Sequence, residues 1–362
     1  MTGRAIIVGA GIGGLAVGRA LLDTRWRVEI LERADGLPEA GTALGMWPEA
    51  IAALDRLGVG DRVREAGVAQ HGATFRRPEG TTFARITSRE PAYLISRPAL
   101  HRILYEGALE DAVRWATPVE DAANLPEADL VIGADGINSR LRTVVAGRTV
   151  DPRPLGAVAF RGVVPGRVEA ACETWGDGRI FGVTPQEAGM TNWFASVRED
   201  VLAERPSYRN VAELLTALFG DWHPIVREVV TRLDPAEIDQ RVLYDMPPIG
   251  CWSRDHTVVL GDAAHAMAPN AGRGACEAIV DAVTLAESLR AAGSTTEGLQ
   301  DFDRRRRRTG QRMVRTSRVL SRISMARRLP AVRYRAMNVL SRFVSTRPAD
   351  DNGNDEGRHG HS

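Results

Sequence analysis

The chain has 362 residues, of which 44% are hydrophobic and 26% charged, and its formal net charge is +1. That length suffices for two packed domains, and nothing in the composition or the small net charge points to nucleic-acid binding. All 47 basic residues are arginines, which excludes lysine-dependent chemistry such as a Schiff base.

Cysteine and histidine spacing narrows the class of protein further. The three cysteines lie far apart in no CxxC spacing, which argues against a disulfide framework and against a structural zinc site. The histidines show no HxxxH or HExxH spacing, so we predict no metal. The only long apolar stretch, residues 5–22, could imitate a signal peptide, but its glycine spacing is explained better by a nucleotide-binding loop. We therefore predict a cytoplasmic protein without a transmembrane segment.

The first elements predict half of a doubly wound sheet. Their order is strand 4–8, glycine turn 9–14, helix 15–23 and strand 27–31. Gly9, Gly11 and Gly14 form a GxGxxG motif in the turn. Glycines there let the backbone approach a pyrophosphate, whose charge the following helix N-terminus favours.

A carboxylate follows at the end of the second strand, where Glu32 lies eighteen residues after Gly14. An acid at this place accepts hydrogen bonds from both hydroxyls of an adenosine ribose, and it repels a 2′-phosphate. The tightly held nucleotide is therefore FAD or NAD rather than NADP.

Two helices, at 48–57 and 98–107, are predicted before a buried strand at 127–132. That strand delivers Asp135 and Gly136 into a turn at its carboxyl end. Ligands bind at such ends in open α/β sheets, so the turn is a second candidate contact for the nucleotide.

Residues 151–250 change to short alternating runs separated by glycine and proline, which predicts an antiparallel sheet over a pocket. Trp193 and Phe181 lie in these runs and are candidates to line a substrate pocket. Burial in an ordinary core is the alternative, because aromatic residues on sheets commonly pack there.

The chain then returns to an α/β pattern, with strand 256–260, loop 261–274 and helix 275–290. Pro269, Gly272 and Gly274 keep the loop free of bulk, and the helix directs its positive end at whatever lies before it. Residues 301–345 form a helical region with fourteen arginines and two acids. The polar tail 346–362 is expected to be disordered.

Four segments carry recognisable fingerprints. They are ER at 32–33 with GTALGMWP at 41–48, ISRPAL at 95–100, DLVIGADGINSRLR at 129–142, and LGDAAHAMAPNAGRGACEAIVDA at 260–282. In this order they resemble the para-hydroxybenzoate-hydroxylase-like (class A) flavoprotein monooxygenases, in particular the compact branch of salicylate and urate hydroxylases and zeaxanthin epoxidase. The resemblance implies an α/β protein with a discontinuous Rossmann-like FAD-binding domain, an antiparallel β-sheet substrate domain and C-terminal helices.

The implied domains follow the fingerprints. They are an FAD-binding domain of residues 1–75, 91–150 and 251–300, a substrate domain of 76–90 and 151–250, a helical region of 301–345 and the tail.

The resemblance also assigns roles to residues around a non-covalent FAD. Arg97 lies along the phosphates and ribityl chain, Asp135 and Gly136 contact the pyrophosphate region, and Asp262 hydrogen-bonds the ribityl hydroxyls. The implied cofactor-binding residues are Gly9, Gly11, Ile12, Gly13, Gly14, Glu32, Arg33, Gly45, Arg97, Asp135, Gly136, Asp262, Pro269, Gly272, Arg273, Gly274 and Ala275.

Two residues of the last fingerprint are candidates for a catalytic role. His265 occupies a position that the family uses structurally, with a general base as the alternative. Arg273 stands where relatives commonly have Gln, and it could tune the flavin potential, contact the nicotinamide or point to solvent.

The implied activity is oxygen transfer to a small, electron-rich, typically aromatic compound by hydroxylation or epoxidation. NADH or NADPH reduces the flavin transiently, and O2 then gives a C4a-hydroperoxide, so the hard chemistry belongs to the cofactor. A flavin-dependent dehydrogenase or reductase and a non-catalytic flavin-based sensor or ligand-binding protein are the alternatives. The protein is expected to be a monomer or a homodimer.

Overall fold

The computed structural model describes residues 3–22, 24, 26–205, 207–328, 331, 333–335 and 337–338. The strands are β1 (Gly3–Val8), β2 (Trp26–Leu31), β3 (Ala43–Met46), β4 (Val68–Arg76), β5 (Thr82–Ser96), β6 (Val113–Arg114), β7 (Leu130–Gly133), β8 (Arg153–Pro165), β9 (Ala171–Gly176), β10 (Arg179–Gln186), β11 (Met190–Arg198), β12 (Asp239–Asp245), β13 (Ser253–Arg254) and β14 (Thr257–Val259). The helices are α1 (Ile12–Leu22), α2 (Pro48–Arg56), α3 (Gly60–Ala66), α4 (Arg97–Tyr105), α5 (Leu141–Ala146), α6 (Glu199–Ala203), α7 (Val211–Phe219), α8 (Pro224–Val230), α9 (Asp262–His265), α10 (Gly274–Ala291) and α11 (Thr295–Ser324).

A six-stranded sheet of order β13-β14-β7-β1-β2-β6 forms one layer. Its strands pair in parallel except for β13, which runs antiparallel to β14. The parallel strands are short and apolar because helices such as α1 and α10 bury them, which is why they show no polar alternation. Four carboxyl ends, those of β1, β2, β7 and β14, consequently meet at one edge of the sheet.

An eight-stranded sheet of order β12-β8-β11-β10-β9-β4-β5-β3 forms the second layer. Its neighbours pair antiparallel except for β4 with β9, which are parallel. Helices α7 and α8 cover what we call the outer face, through a core that includes Phe219 and Trp222. The opposite, inner face carries Trp175 and Ile180 against Met325 from the segment after α11.

The predicted fold class is confirmed, while several boundaries differ. The predicted divisions at 75/76 and 90/91 fall inside β4 and β5, which run through them, so residues 68–75 belong to the eight-stranded sheet. The predicted loop 261–274 contains α9, and α6 to α8 interrupt the predicted sheet region. Helix α7 has a sequence signal, because the Asn210 side chain caps it by accepting from the Glu213 amide at 3.0 Å.

Helix α11 begins at Thr295, before the predicted start at residue 301, because the Ser294 side chain accepts from the Glu297 amide. The predicted tail 346–362 lies outside the described residues, as do residues 339–345 of the predicted helical region. Across the described part of the chain, no helix is both long and apolar enough to cross a membrane.

Candidate active site

The glycines of the turn after β1 are of two kinds: some are closely packed against other backbone or side chains, and one is open. Gly9 has a φ of +101°, and a Cβ there would lie 2.5 Å from the Ala134 carbonyl oxygen. A Cβ on Gly14 would lie 1.8 Å from the Gly9 oxygen, and one on Gly13 would meet Leu260 at 2.9 Å. At Gly11, by contrast, a Cβ would have nothing within 4 Å. Gly9, Gly13 and Gly14 therefore allow close packing of the backbone, whereas Gly11 leaves room for a ligand beside the N-terminus of α1.

Glu32 follows β2 and holds this turn through its carboxylate. Its Oε2 accepts from the Ala10 amide at 2.6 Å, and its Oε1 accepts from the Ala34 amide at 2.9 Å. Each carboxylate oxygen has a second lone pair for a ribose hydroxyl. The neighbouring Arg33 is exposed.

The second turn, after β7, is shaped by Asp135 and Gly136. Asp135 Oδ2 accepts from the Arg140 amide at 2.7 Å, while its buried Oδ1 has no partner among the described residues. Gly136 has a φ of +77°, and a Cβ there would meet nothing within 4 Å. The buried Arg142 locks the turn to α9, since it donates to the Ile137 oxygen at 2.8 Å and the Ala263 oxygen at 3.1 Å.

The third turn, after β14, presents Asp262 to the same edge. The Asp262 side chain is exposed, and a Cβ on Gly274 would lie 3.9 Å from its Oδ1. The carboxylate therefore lies over the N-terminus of α10, where the amides of Gly274, Ala275 and Cys276 have no partner within the helix. The helix contributes about half an elementary positive charge at this end.

Arg97 completes the edge from α4. Burial lowers its pKa, as does the charge of Arg161, whereas Asp262 and Asp239 raise it. Its guanidinium makes no hydrogen bond to the described residues, although its backbone amide donates to the Thr42 oxygen at 3.1 Å. Arg97 is exposed, so a cation without a hydrogen-bond partner among the described residues lies near the exposed carboxylate of Asp262.

The loop between α9 and α10 is held against β3. Trp47 Nε1 donates to the Gly272 oxygen at 3.2 Å, and Cys276 Sγ to the Gly45 oxygen at 3.1 Å. Gly272 has a φ of +59°, and Pro269 begins the single helical turn before it. This contact brings the segment 41–48 and the last fingerprint to one place.

These features fit FAD. Two open glycines, helix amides without partners inside their helix, the Glu32 carboxylate and an exposed Asp262 lie at the carboxyl edge of one parallel sheet. The edge offers donors and positive helix ends for a pyrophosphate and acceptors for polyol hydroxyls. The role of each named residue at the cofactor stays a prediction.

The catalytic candidate His265 lies in a buried ionic network that we call the clamp, which consists of His265, Asp281, Arg306, Glu277 and the Gly261 amide. His265 Nε2 and Arg306 Nε contact the Asp281 carboxylate at 2.6 Å each, and the Gly261 amide donates to the same group at 3.0 Å. Arg306 also donates to Glu277 at 2.6 Å.

Charge coupling within the clamp explains its protonation states. Burial raises the pKa of Asp281, but the charges of His265 and Arg306 outweigh it and hold that pKa at about 2. Burial lowers the pKa of His265, and Asp281 more than reverses this. His265 is 1% exposed, so its contacts fit an anchor for Gly261 better than a base that reaches substrate.

Arg273 is partly engaged by acids as well. Its Nε donates to Glu277 at 3.2 Å, and an amino group lies 3.5 Å from Glu49. These two carboxylates offset its charge at the N-terminus of α10. The structure therefore connects Arg273 to the clamp through Glu277.

Trp193 and Phe181 lie on the outer face of the eight-stranded sheet. They stack with ring centroids 5.7 Å apart, and Phe181 meets Phe219 of α7 edge-on. Both are essentially fully buried beneath α7 and α8, which matches the alternative of an ordinary core. Strand alternation gives the inner face to Asn192 and Phe194 instead.

Sequence reasoning missed Arg306 and Asn192. The sequence places Arg306 among the fourteen arginines of the predicted helical region without distinguishing it, yet it is four residues from both Phe302 and Gly310 on the buried stripe of α11. Asn192 Oδ1 accepts from the Ala43 amide at 3.0 Å and so joins β11 to β3, an edge strand of the same eight-stranded sheet. The α11 periodicity could have identified the first, whereas nothing local distinguishes the second.

The chain matches the family model described as FAD binding domain over residues 3–125 and 118–317. It is 32% identical to aurachin C monooxygenase/isomerase of Stigmatella aurantiaca, over 78% of this chain and 80% of that protein. It is also 32% identical to 3-amino-4-hydroxybenzoate 2-monooxygenase of Streptomyces cremeus, over 83% and 82%.

A solved structure shares the fold across nearly the whole chain. It is that of Klebsiella pneumoniae HpxO complexed with FAD and uric acid, with a TM-score of 0.83, 23% identity and coverage of 94% of this chain and 95% of that one. Together with the convergent loops and the family match, these similarities identify the protein as an FAD-dependent monooxygenase that belongs to the FAD-binding domain family.

Proposed function

We propose that the protein uses NADH or NADPH and O2 to hydroxylate a small aromatic or heteroaromatic compound. One oxygen atom enters the substrate, the other leaves as water, and the nicotinamide supplies the two electrons. The names of the relatives, which include a hydroxybenzoate monooxygenase, support this substrate class. We further propose a cytoplasmic location, which three free thiols support, and a monomer or homodimer as the oligomeric state.

One observation carries the proposal, namely the convergence of four strand ends on an open edge with an unpaired Asp262 and Arg97. Bound FAD supplies electron transfer from nicotinamide and the activation of O2. In this proposal Glu32 binds the ribose, Asp262 the ribityl hydroxyls and Arg97 the phosphates. The N-terminus of α10 stabilises negative charge that develops beside it during reduction.

The inner face of the eight-stranded sheet supplies the other wall. Asn192 fixes β11 to β3, and Trp47, directly after β3, donates to Gly272, so this end of the sheet lies beside the loop that contains Pro269 and Gly272. In this proposal the sheet excludes water from the cofactor edge, which protects a reactive oxygen donor from wasteful breakdown.

Turnover with labelled dioxygen tests the proposal. Purified FAD-loaded protein is screened with hydroxylated aromatic and heteroaromatic compounds for stimulated NAD(P)H consumption. Products of stimulating compounds should gain one atom of ¹⁸O from ¹⁸O2. Stimulated oxidation without label would indicate a dehydrogenase, and no stimulation by any compound would indicate a sensor or ligand-binding protein.

A further inference from the structure

A line of four residues crosses the inner face of the eight-stranded sheet. Strand register places Glu173 of β9 opposite Gly182 of β10, Gly182 opposite Phe194 of β11, and Phe194 opposite Arg161 of β8. Asn192, two residues from Phe194, shares this face and contacts β3 beside the cofactor edge. The line therefore lies on the wall that faces the cofactor loops.

Gly182 makes room for an aromatic surface in this line. A Cβ on Gly182 would lie 2.0 Å from Phe194 Cζ, so the phenyl ring extends over β10 in the direction of β9. The Phe194 ring is only partly buried, in contrast to Trp193 on the other face. A partly exposed ring on this face of the sheet offers a stacking surface for a planar ligand.

Glu173 lies beyond the Phe194 ring, at the β9 end of the line, and its carboxylate has no ion-pair partner among the described residues. Trp175 Nε1 donates a short hydrogen bond to Glu173 Oε1, and no described cation lies within salt-bridge distance. The side chain still reaches solvent in part. Burial raises the pKa of Glu173 to about 7, against the hydrogen bond from Trp175, which lowers it.

None of the other described groups packed around Glu173 forms an ion pair with its carboxylate. Phe75 of β4 and Gly182 of β10 are its cross-strand neighbours, and Arg76 alternates to the opposite face and donates to the Gly80 oxygen. Arg161 lies three strand spacings away, about 14 Å, and pairs with Asp239 at 2.9 Å.

From the C-terminal segment, Tyr334 donates to the Trp175 oxygen at 3.0 Å and packs beneath Arg77. A partly exposed carboxyl group with no ionic partner among the described residues and with a raised pKa is a candidate for function.

We propose that Phe194 and Glu173 recognise a planar ring bearing an ionisable hydroxyl or ring N–H, which stacks on Phe194 and gives its proton to Glu173. The inference rests on the proposed function and specifies its substrate. When the proton transfers, the substrate O–H or N–H bond breaks and a carboxylic O–H bond forms on Glu173. The electron pair stays on the substrate heteroatom, which enriches the adjacent ring carbons towards an electrophilic oxygen donor.

Matched ligand pairs test this recognition without turnover. Phenol and 3-hydroxypyridine are each compared with their O-methyl ethers for binding to the FAD-loaded full-length protein, by ligand-observed NMR titration. The wild type should bind the hydroxyl members ~10-fold more tightly, since a hydrogen bond to a charged group contributes about 1.5–3 kcal/mol. That preference should grow as pH rises through about 7, where Glu173 ionises.

Three variants make the test specific. Glu173→Gln should abolish the preference and its pH dependence while binding the ethers unchanged, and Glu173→Asp should retain part of it. Glu169→Gln, at an exposed position before β9, is the matched control and should behave as wild type.

Equal wild-type binding within each pair, including no binding of either member, overturns the inference, as does an unchanged preference in Glu173→Gln. The ¹⁸O experiment separates the two proposals. Label incorporation with an unchanged preference contradicts only the role of Glu173, whereas an intact preference without incorporation contradicts only the proposed activity.

Discussion

The two sheets present their functional groups in different ways. At the edge of the six-stranded sheet, the site is made largely of backbone, with open glycines, helix amides and carboxylates directly after strands. On the inner face of the eight-stranded sheet, the candidate groups are single side chains from separate strands, such as Glu173 and Phe194.

This difference teaches which kind of site a sequence reveals. A backbone site needs a contiguous run of permissive residues, so it leaves a motif such as GxGxxG. A wall of side chains needs only one suitable residue on each strand, and neighbouring positions on the strand face the other way. The contrast leads to the following expectations.

The largest effect is expected where a glycine of the motif is buried. Gly14→Ala would place a Cβ 1.8 Å from the Gly9 oxygen, so we expect no stable folded protein. Gly11→Ala, the matched control, meets nothing within 4 Å and should fold normally while losing FAD affinity. Circular dichroism and FAD titration measure both. Loss of folding in Gly11→Ala would contradict the division between packing and ligand-facing glycines.

Substitutions on the two faces of β11 should differ in their effects, with the larger loss of stability on one face and the larger loss of ligand binding on the other. Trp193→Ala removes a buried aromatic side chain and should lower the free energy of unfolding by ~3–5 kcal/mol. Phe194→Ala removes a half-buried ring and should cost about 1–2 kcal/mol, but it should weaken binding of phenol to the FAD-loaded protein. Urea denaturation and ligand titration distinguish them. A larger loss of phenol binding in Trp193→Ala, relative to stability, would restore Trp193 as a pocket residue.

The clamp should also be sensitive to single changes. Arg306→Ala removes the buried cation that Asp281 and Glu277 share, so we expect a loss of ~3–5 kcal/mol of unfolding free energy. Arg308→Ala, an exposed arginine without a described partner, should stay within ~0.5 kcal/mol of wild type. Chemical denaturation measures the difference, and equal values for the two variants would show that the clamp does not stabilise the fold.

A moderate effect is expected on cofactor retention. Asp262→Ala should weaken FAD binding ~10–100-fold, because one charge-assisted hydrogen-bond acceptor contributes about 1.5–3 kcal/mol. Asp262→Asn keeps an acceptor and should lose less. Quenching of FAD fluorescence during titration of deflavinated protein gives both affinities. Full FAD occupancy of Asp262→Ala after extensive dialysis would contradict the assignment.

The smallest expected effect is a pH dependence of stability. Glu173 ionises near 4.5 when unfolded and only near about 7 when folded, so the folded protein binds an extra proton between these values. Stability should therefore fall as pH rises from about 4.5 to about 7. Glu173→Gln should remove that slope and raise Tm by about 2 °C at pH 8, but not at pH 4. If Tm changed with pH in the same way in the wild type and in Glu173→Gln, the raised pKa of Glu173 in the folded protein would be contradicted.

The sequence was sufficient for the family, the fold class and the cofactor, because these depend on local patterns. Hydrophobic runs followed by glycine or aspartate locate β1 and β7, and their turns, to within a few residues. The assignment of Trp193 to a pocket was less informative, because its face depends on register with β10 and on where α7 packs. Arg306 shows the same limit, since an isolated run of arginines does not indicate which one is buried.

The clamp connects the cofactor edge to the last helix of the described chain. Gly261 and Glu277 belong to that edge, but Arg306, which pairs with Glu277 and with the Asp281 that holds Gly261, lies on a helix that the ribosome makes only after all of the predicted cofactor-binding turns. A nascent chain that ends before α11 therefore lacks the arginine that Asp281 and Glu277 share. We expect such a chain to capture FAD poorly, so that flavin uptake reports that synthesis has passed residue 306.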